Sequence, residues 1–353
     1  MSGKIDLYSM NKAELAELLL SLGEPKFRAG QIFSALHKGT PLSEITTLSK
    51  PLRERLSQLS LDTLPRVERK LVSRLDGTVK YLFKLHDGAL IESVLMRYKH
   101  GNTLCISSQV GCRMGCRFCA STIGGKERDL LPSELLGQVI AASADSGERV
   151  SNIVMMGIGE PLDNYDNVLK FLELVGAEGG LNIGYRHISL STSGVVPKIR
   201  ALAEVELPIT LSISLHAATD EARSAIMPIN KKWNIKELLD ACVYYYNKTG
   251  RRISFEYTLI GGKNDSEEDA LRLAALLRGA FRGTGAPIHV NLIRVNEVKE
   301  TGFREGSVGS ANRFAELLSQ NGVVATVRRR LGADVNAACG QLRRGEITKE
   351  VEA

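Results

Sequence analysis

Cys112, Cys116 and Cys119 stand close together in the run Gly-Cys-Arg-Met-Gly-Cys-Arg-Phe-Cys. The spacing Cys-x3-Cys-x2-Cys offers three thiolates to one centre. A structural zinc site closes four ligands, usually from two Cys-x2-Cys pairs. A cubane 4Fe–4S cluster also usually takes four cysteines. Held by three, a cubane leaves one iron open, and an open redox-active iron can bind and activate a further molecule. The plainer reading is a zinc knuckle completed by a distant Cys or His, and the triplet alone leaves both readings standing.

Other residues of reactive type follow at intervals. Gly157-Ile158-Gly159-Glu160-Pro161 combines small residues, which let backbone approach a ligand, with a carboxylate that can pair with an ammonium. Ser191-Thr192-Ser193-Gly194, Ser214-Leu215-His216 and Asn291 bring short hydrogen-bonding groups suited to ribose hydroxyls and base edges. His187 and His289 read as satisfied structural histidines. Cys242, in a helical stretch, reads as a small hydrophobe. Cys339, followed by Gly340 in a segment of small residues, reads as a loop thiol, and loops carry function. Arg251-Arg252, Arg328-Arg329-Arg330 and Arg343-Arg344 are basic groups, the last two flanking Cys339 and suited to phosphate contact.

These residues need elements to position them. Residues 1–65 read as a helical bundle: Leu15, Leu18, Leu19 and Leu22 recur at helical spacing, and Pro25 and Pro51 fit helix starts. Residues 66–98 read as a three-stranded meander turning at Asp76-Gly77 and Asp87-Gly88. Residues 99–331 alternate strands, expected at 103–108, 152–157, 187–191, 209–215, 253–260 and 288–293, with helices. Six β/α units imply parallel strands with right-handed crossovers, too few for a closed eight-stranded barrel. The fold class expected is α/β, a partial (β/α)6 barrel with functional residues at the C-terminal strand ends. Residues 332–353 form a last segment around Cys339, polar and frayed from 345.

The chain has 353 residues, 43% hydrophobic content and a formal net charge of +6. That is the composition of a soluble globular protein, with a charge compatible with a polyanionic partner. No apolar run approaches a membrane span, and the charged N-terminus is unlike a signal peptide. Clustered cysteines fit a reducing cytoplasm better than a disulfide scaffold.

The triplet, with its aromatic before the last cysteine, resembles the signature of the radical S-adenosylmethionine (SAM) superfamily. The whole order is similar to the RlmN family: Cys105-Ile-Ser-Ser-Gln-Val-Gly-Cys112, Met-Gly-Ile-Gly-Glu160-Pro161, Leu-Ser-Thr-Ser-Gly, Ser214-Leu-His216, Met227-Pro228-Ile229-Asn230 and Ala-Ala-Cys339-Gly-Gln-Leu-Arg. The resemblance covers nearly the full chain. It implies an adenine-C2 methyltransferase acting on 23S rRNA and tRNA through an S-methylcysteine. It implies one 4Fe–4S cluster per chain on Cys112, Cys116 and Cys119, and SAM lined by Gly159, Glu160, Ser191, Ser214, Leu215, His216 and Asn291. Cys339 would carry the methyl group and Cys105 would resolve the protein–RNA thioether by forming a disulfide. Glu92 matches the proposed proton acceptor, although Cys105 could also take the C2 proton. The resemblance further implies an electron donor such as flavodoxin or ferredoxin, no membrane partner, a monomer and a cytoplasmic location. The alternatives are a Cfr-type adenine-C8 methyltransferase and a non-catalytic, metal-bound RNA-binding protein.

Overall fold

The computed structural model of the chain describes residues 4–295 and 302–335. Three helices come first. α1 (Lys12–Ser21) starts at Asn11, whose side chain accepts from Glu14 N–H at 2.9 Å while the Glu14 carboxylate accepts from Asn11 N–H at 2.7 Å. This reciprocal cap satisfies two otherwise orphaned donors. α2 (Arg28–His37) begins later than Pro25: the Pro25 and Lys26 carbonyls accept from Arg28 and Ala29, so the proline opens the turn that leads into the helix. α3 (Lys50–Leu59) carries Pro51 in its first turn, where a missing N–H is harmless.

The meander follows as β1 (Arg66–Val72), β2 (Val79–Lys84) and β3 (Leu90–Tyr98), paired antiparallel. Both expected turns are present. Gly77 and Gly88 take φ of +71° and +90°, and Asp76 and Asp87 accept from the N–H two residues on. β3 then pairs antiparallel with β4 (Gly101–Cys105). The meander is therefore continuous with the parallel strands, in one ten-stranded sheet.

A short ribbon, β5 (Gln109–Gly111) and β6 (Lys126–Asp129), brackets the cysteine triplet. Alternation then proceeds through α4 (Pro132–Ser146), β7 (Val150–Met155), α5 (Tyr165–Gly176), β8 (Ile188–Thr192), α6 (Val196–Val205) and β9 (Thr210–Ser214). It continues with α7 (Asp220–Ile226), α8 (Ile235–Thr249), β10 (Ile253–Leu259), α9 (Glu267–Ala280), β11 (Ile288–Arg294), α10 (Val308–Gln320) and β12 (Val324–Val327). β4, β7, β8, β9, β10, β11 and β12 pair in parallel, in that order. The six expected strands are present within a few residues, and β12 adds a seventh. It is a short edge strand with Val324 63% exposed, so its apolar pattern is weak.

The two faces of the parallel strands differ in chemistry. Leu190, Leu211, Ile213, Phe255, Tyr257, Val290 and Leu292 join the core under the helices. The alternate positions, among them Ser191, Ser212, Ser214, Ser254, Glu256, Thr258 and Asn291, turn to the barrel interior. The N-terminal helices share the helix-side core. Ser133, at the start of α4, donates to Asp6 at 2.6 Å, and Lys170 in α5 pairs with Glu14 at 2.8 Å. Among the described residues no helix is long and apolar enough to cross a membrane.

Candidate active site

A cavity at the C-terminal ends of the parallel strands is lined by Cys112, Cys116, Cys119, Gly159, Glu160, Ser191, Ser214 and His216. The β5–β6 ribbon holds the cysteine loop. Cys112 N–H donates to Gly125 O at 2.9 Å, and Gly111 has φ +76° with space for no side chain, since a Cβ would fall 2.0 Å from Gly125 O. Asp163 gathers the ribbon by accepting from Gln109 at 2.9 Å, Lys126 at 3.1 Å and Arg113. Arg117 N–H donates to Ile226 O at 2.9 Å, tying the loop to α7. Burial pushes the Cys112 thiol up to about 12 and raises Cys116 as well. Thiolates at these positions require nearby positive charge, as a metal supplies.

The glycines before Glu160 line the cavity and also serve the protein's own packing. A Cβ on Gly157 would lie 2.6 Å from Ile106 O, and one on Gly159 2.6 Å from Gln109 Cβ. They let the loop press against residues 106–109, so their close approach is to the protein's own backbone. The loop thereby carries Glu160 inward. Its two oxygens accept from Leu162 N–H at 3.0 Å and Ser193 N–H at 2.6 Å, and its own N–H donates to Gln109 at 2.9 Å. Burial raises its carboxyl, opposed by the donors from Ser193. Each carboxylate oxygen retains a further lone pair for a ligand.

His216 is buried with φ +58°, a left-handed conformation uncommon for a side-chain-bearing residue. Its Nδ1 accepts from Thr258 N–H at 2.9 Å, which puts the ring proton on Nε2. Phe118 meets the ring edge-on with centroids 4.9 Å apart. Burial, then the nearby Arg223, depress its pKa to about 3, so the ring is neutral.

Sequence reasoning missed Glu256, a cavity residue buried in β10. Asn291 does not line the cavity itself; it donates to Glu256 at 2.6 Å. Ser254 also donates to Glu256, at 3.1 Å. The signal was available in Ser254-Phe255-Glu256-Tyr257-Thr258, where polar residues alternate with apolar ones in a strand buried on both faces. Arg328, expected among the RNA-facing arginines, lines the cavity instead and lowers the Glu256 carboxyl against the larger effect of burial. Arg330 pairs with Glu305 at 3.1 Å, and Arg329 is exposed. Leu215 is fully buried off the cavity, with its carbonyl taken by Arg223.

Cys105 lies in β4, packed with Val94, Met96, Leu331 and the cavity residue Met156. Glu92 sits on the same face of the sheet, since Val94 pairs with Cys105 and residues alternate. Its carboxylate pairs with Lys80 at 3.2 Å, both side chains being buried. Neither Glu92 nor Cys105 lines the cavity. Cys339 and Arg343-Arg344 lie outside the described residues. The segment leading toward them is pinned to the β1–β2 turn: Gly332 N–H donates to Asp76 at 2.8 Å, and Asp334 accepts from Ser73 Oγ at 2.7 Å and Arg74 N–H at 2.9 Å. No disulfide joins the described cysteines.

Residues 106–274 match the family model of the radical SAM superfamily, and residues 5–61 match that of the ribosomal RNA large subunit methyltransferase N-terminal domain. The probable dual-specificity RNA methyltransferase RlmN of Alkaliphilus oremlandii is 52% identical, over 98% of this chain and 99% of that protein. Its namesake from Clostridium tetani is 50% identical, over 99% of this chain and 100% of that protein. The crystal structure of a radical SAM methyltransferase from Sphaerobacter thermophilus superposes with a TM-score of 0.90 at 42% identity, covering 96% of this chain and 98% of that one. With motif, fold and full-length similarity in agreement, the chain belongs to the RlmN family of RNA methyltransferases, within the radical SAM superfamily.

Proposed function

We propose that this chain methylates C2 of adenine in 23S rRNA and tRNA, with Cys339 as the methyl carrier. The observation that supports this most is one cavity lined by three thiols together with Glu160, Ser191, Ser214 and His216. In this reading Cys112, Cys116 and Cys119 hold one 4Fe–4S cluster. The donor set suits it: the three thiols share one wall of the cavity. The Ser121 hydroxyl, buried on the same wall, has no protein partner and is available to a bound group. Gly159, Glu160, Ser191, Ser214 and His216 serve SAM directly, while Leu215 and Asn291 act by holding Arg223 and Glu256.

Together the bound cluster and SAM supply a carbon radical, which this reaction needs because C2 lies between two ring nitrogens and is not a useful nucleophile. The protein's residues do the rest. Glu160 offers a fixed carboxylate to an ammonium, and neutral His216 offers an N–H. Glu92, held by Lys80, or Cys105 takes the C2 proton. The Cys105 thiolate attacks the Cys339 sulfur of the protein–RNA thioether, forming a disulfide as the sulfur–carbon bond breaks, and the released carbon takes a proton to become the methyl group. A flavodoxin or ferredoxin is the class of electron donor, and the exposed Arg329 offers a phosphate contact.

The test uses anaerobically purified protein with reductant, SAM, an rRNA fragment and tRNA, read by mass spectrometry of digested nucleosides. The expected product is 2-methyladenosine in both RNAs. 8-Methyladenosine would assign the protein to the C8 reaction, and a colourless protein, or a cluster that leaves SAM intact, would reject catalysis.

A further inference from the structure

Arg223 is the largest fully buried side chain among the described residues. Its donors go to neutral acceptors: Leu215 O at 3.1 Å, Asn230 Oδ1 at 3.0 Å, Ser193 O at 2.6 Å and Ser214 O at 3.0 Å. The guanidinium thus staples the ends of β8 and β9 to the loop after α7. A buried cation satisfied only by dipoles is costly unless a negative charge compensates it. The cavity wall supplies the candidate. Arg223 belongs to α7, whose last residue, Ile226, accepts from Arg117 in the cysteine loop. Cys116 and Ile226 pack in one small apolar cluster. Burial pulls the guanidinium down to about 10, opposed by the nearby Cys116 and Asp220.

We propose that Arg223 is a positioning residue that serves as the fixed counter-charge of the iron–sulfur centre, favouring its reduced state. The inference rests on the assignment of Cys112, Cys116 and Cys119 as cluster ligands. Reduction adds one negative charge to a centre already made anionic by its thiolates. A cation held in a low-dielectric setting favours that added electron more than it would in water. The same guanidinium reaches the cavity by a second route: it holds Ser193 O, and Ser193 N–H holds Glu160. Charge and geometry are therefore separable. The charge acts on the electron, and the fork acts on the Glu160 carboxylate.

The test compares wild type, Arg223→Gln and Arg223→Lys, each purified anaerobically with its cluster. Iron content and visible absorption establish cluster loading, and a redox titration gives the midpoint without SAM. Arg223→Gln keeps donors for the strand-end carbonyls but removes the charge. It should retain the cluster and become about tenfold harder to reduce, about 59 mV for a one-electron couple. Arg223→Lys keeps the charge but loses the fork, so its midpoint should stay within about twofold of wild type while SAM affinity falls. An unchanged midpoint in a cluster-loaded Arg223→Gln protein would overturn the proposal. If that variant does not fold, Arg223→Lys decides, because a tenfold loss there would show that geometry and not charge sets the potential. A wild-type chain that binds no iron defeats the ligand assignment itself, an outcome distinct from an unshifted potential.

Discussion

Glu160 shows how a single side chain can be both scaffold and site. Its oxygens cap Leu162 and Ser193, and it lines the cavity. Glu160→Ala removes the carboxylate and also orphans two buried donors, each worth about 1–3 kcal/mol when left unsatisfied. It should therefore lower the melting temperature as well as SAM affinity. Glu160→Gln keeps the shape and one acceptor but turns an amide NH2 toward the second donor, so it should melt between wild type and Glu160→Ala while still losing SAM affinity. Calorimetric binding and thermal melts on the cluster-loaded protein separate the two, and a Gln variant that binds SAM normally would leave Glu160 as a cap only. The thiols separate by order of reaction. Cys105→Ala should accumulate a covalent protein–RNA adduct, visible as a nuclease-sensitive shift on a denaturing gel. Cys339→Ala should give neither adduct nor product, and turnover in that variant would remove the carrier role. The triplet and the Gly-Glu turn could be singled out by spacing along a short run, and they line one cavity. Glu256 and Arg223 could not, because each acquires its role from strands or helices brought together only by folding.

Elements succeed or fail here by how closely they approach one another. The 157–160 turn reaches the cavity only because Gly157 and Gly159 allow it to lie on residues 106–109. Gly159→Ala combines a φ of +107° with a Cβ 2.6 Å from Gln109 Cβ. The expected cost is roughly 1–3 kcal/mol of strain, together with displacement of Glu160. A lowered urea midpoint with weakened SAM binding is the predicted result; a variant identical to wild type in both would contradict the packing described. The strands themselves were readable from apolar alternation. What alternation also encoded was a polar interior stripe: Ser212 and Ser254 pair in register, as do Glu256 and Asn291. The β5–β6 ribbon had no comparable signal, since Gln109-Val110-Gly111 is too short for a period to emerge.

At the scale of the molecule, the N-terminal helices and the barrel share one core. His37, tilted 33° against the Phe33 ring with centroids 3.9 Å apart, packs against Gly180 beyond α5, where a Cβ would sit 2.5 Å from His37 Nδ1. Burial, then Lys12, hold its pKa near 4, below the ordinary 6.5. The folded state therefore binds its proton less readily than the unfolded chain. Its contribution is complete above pH 6.5 and is lost as pH falls toward 4, with a slope of at most about 1.4 kcal/mol per pH unit. His37→Phe should flatten the stability profile between pH 6.5 and 4, and urea melts at several pH values would read it; an unaltered slope would exclude His37 as the titrating group. Removing residues 1–61 should expose the faces of α4 and α5 and lower both soluble yield and melting temperature. A truncated chain melting like the full one would mean that the helices are merely tethered.

An open sheet has two flanks, and in this chain both are ill suited to recruiting another strand. β1 is exposed along nearly its whole length. Four of its seven residues, Arg66, Glu68, Arg69 and Lys70, are charged. β12 is four residues long and runs directly into Arg328-Arg329-Arg330. Short, charged flanks are a recurrent defence against edge-to-edge pairing. The architecture that leaves the barrel unclosed thus also resists the self-templating aggregation to which an unclosed sheet is prone.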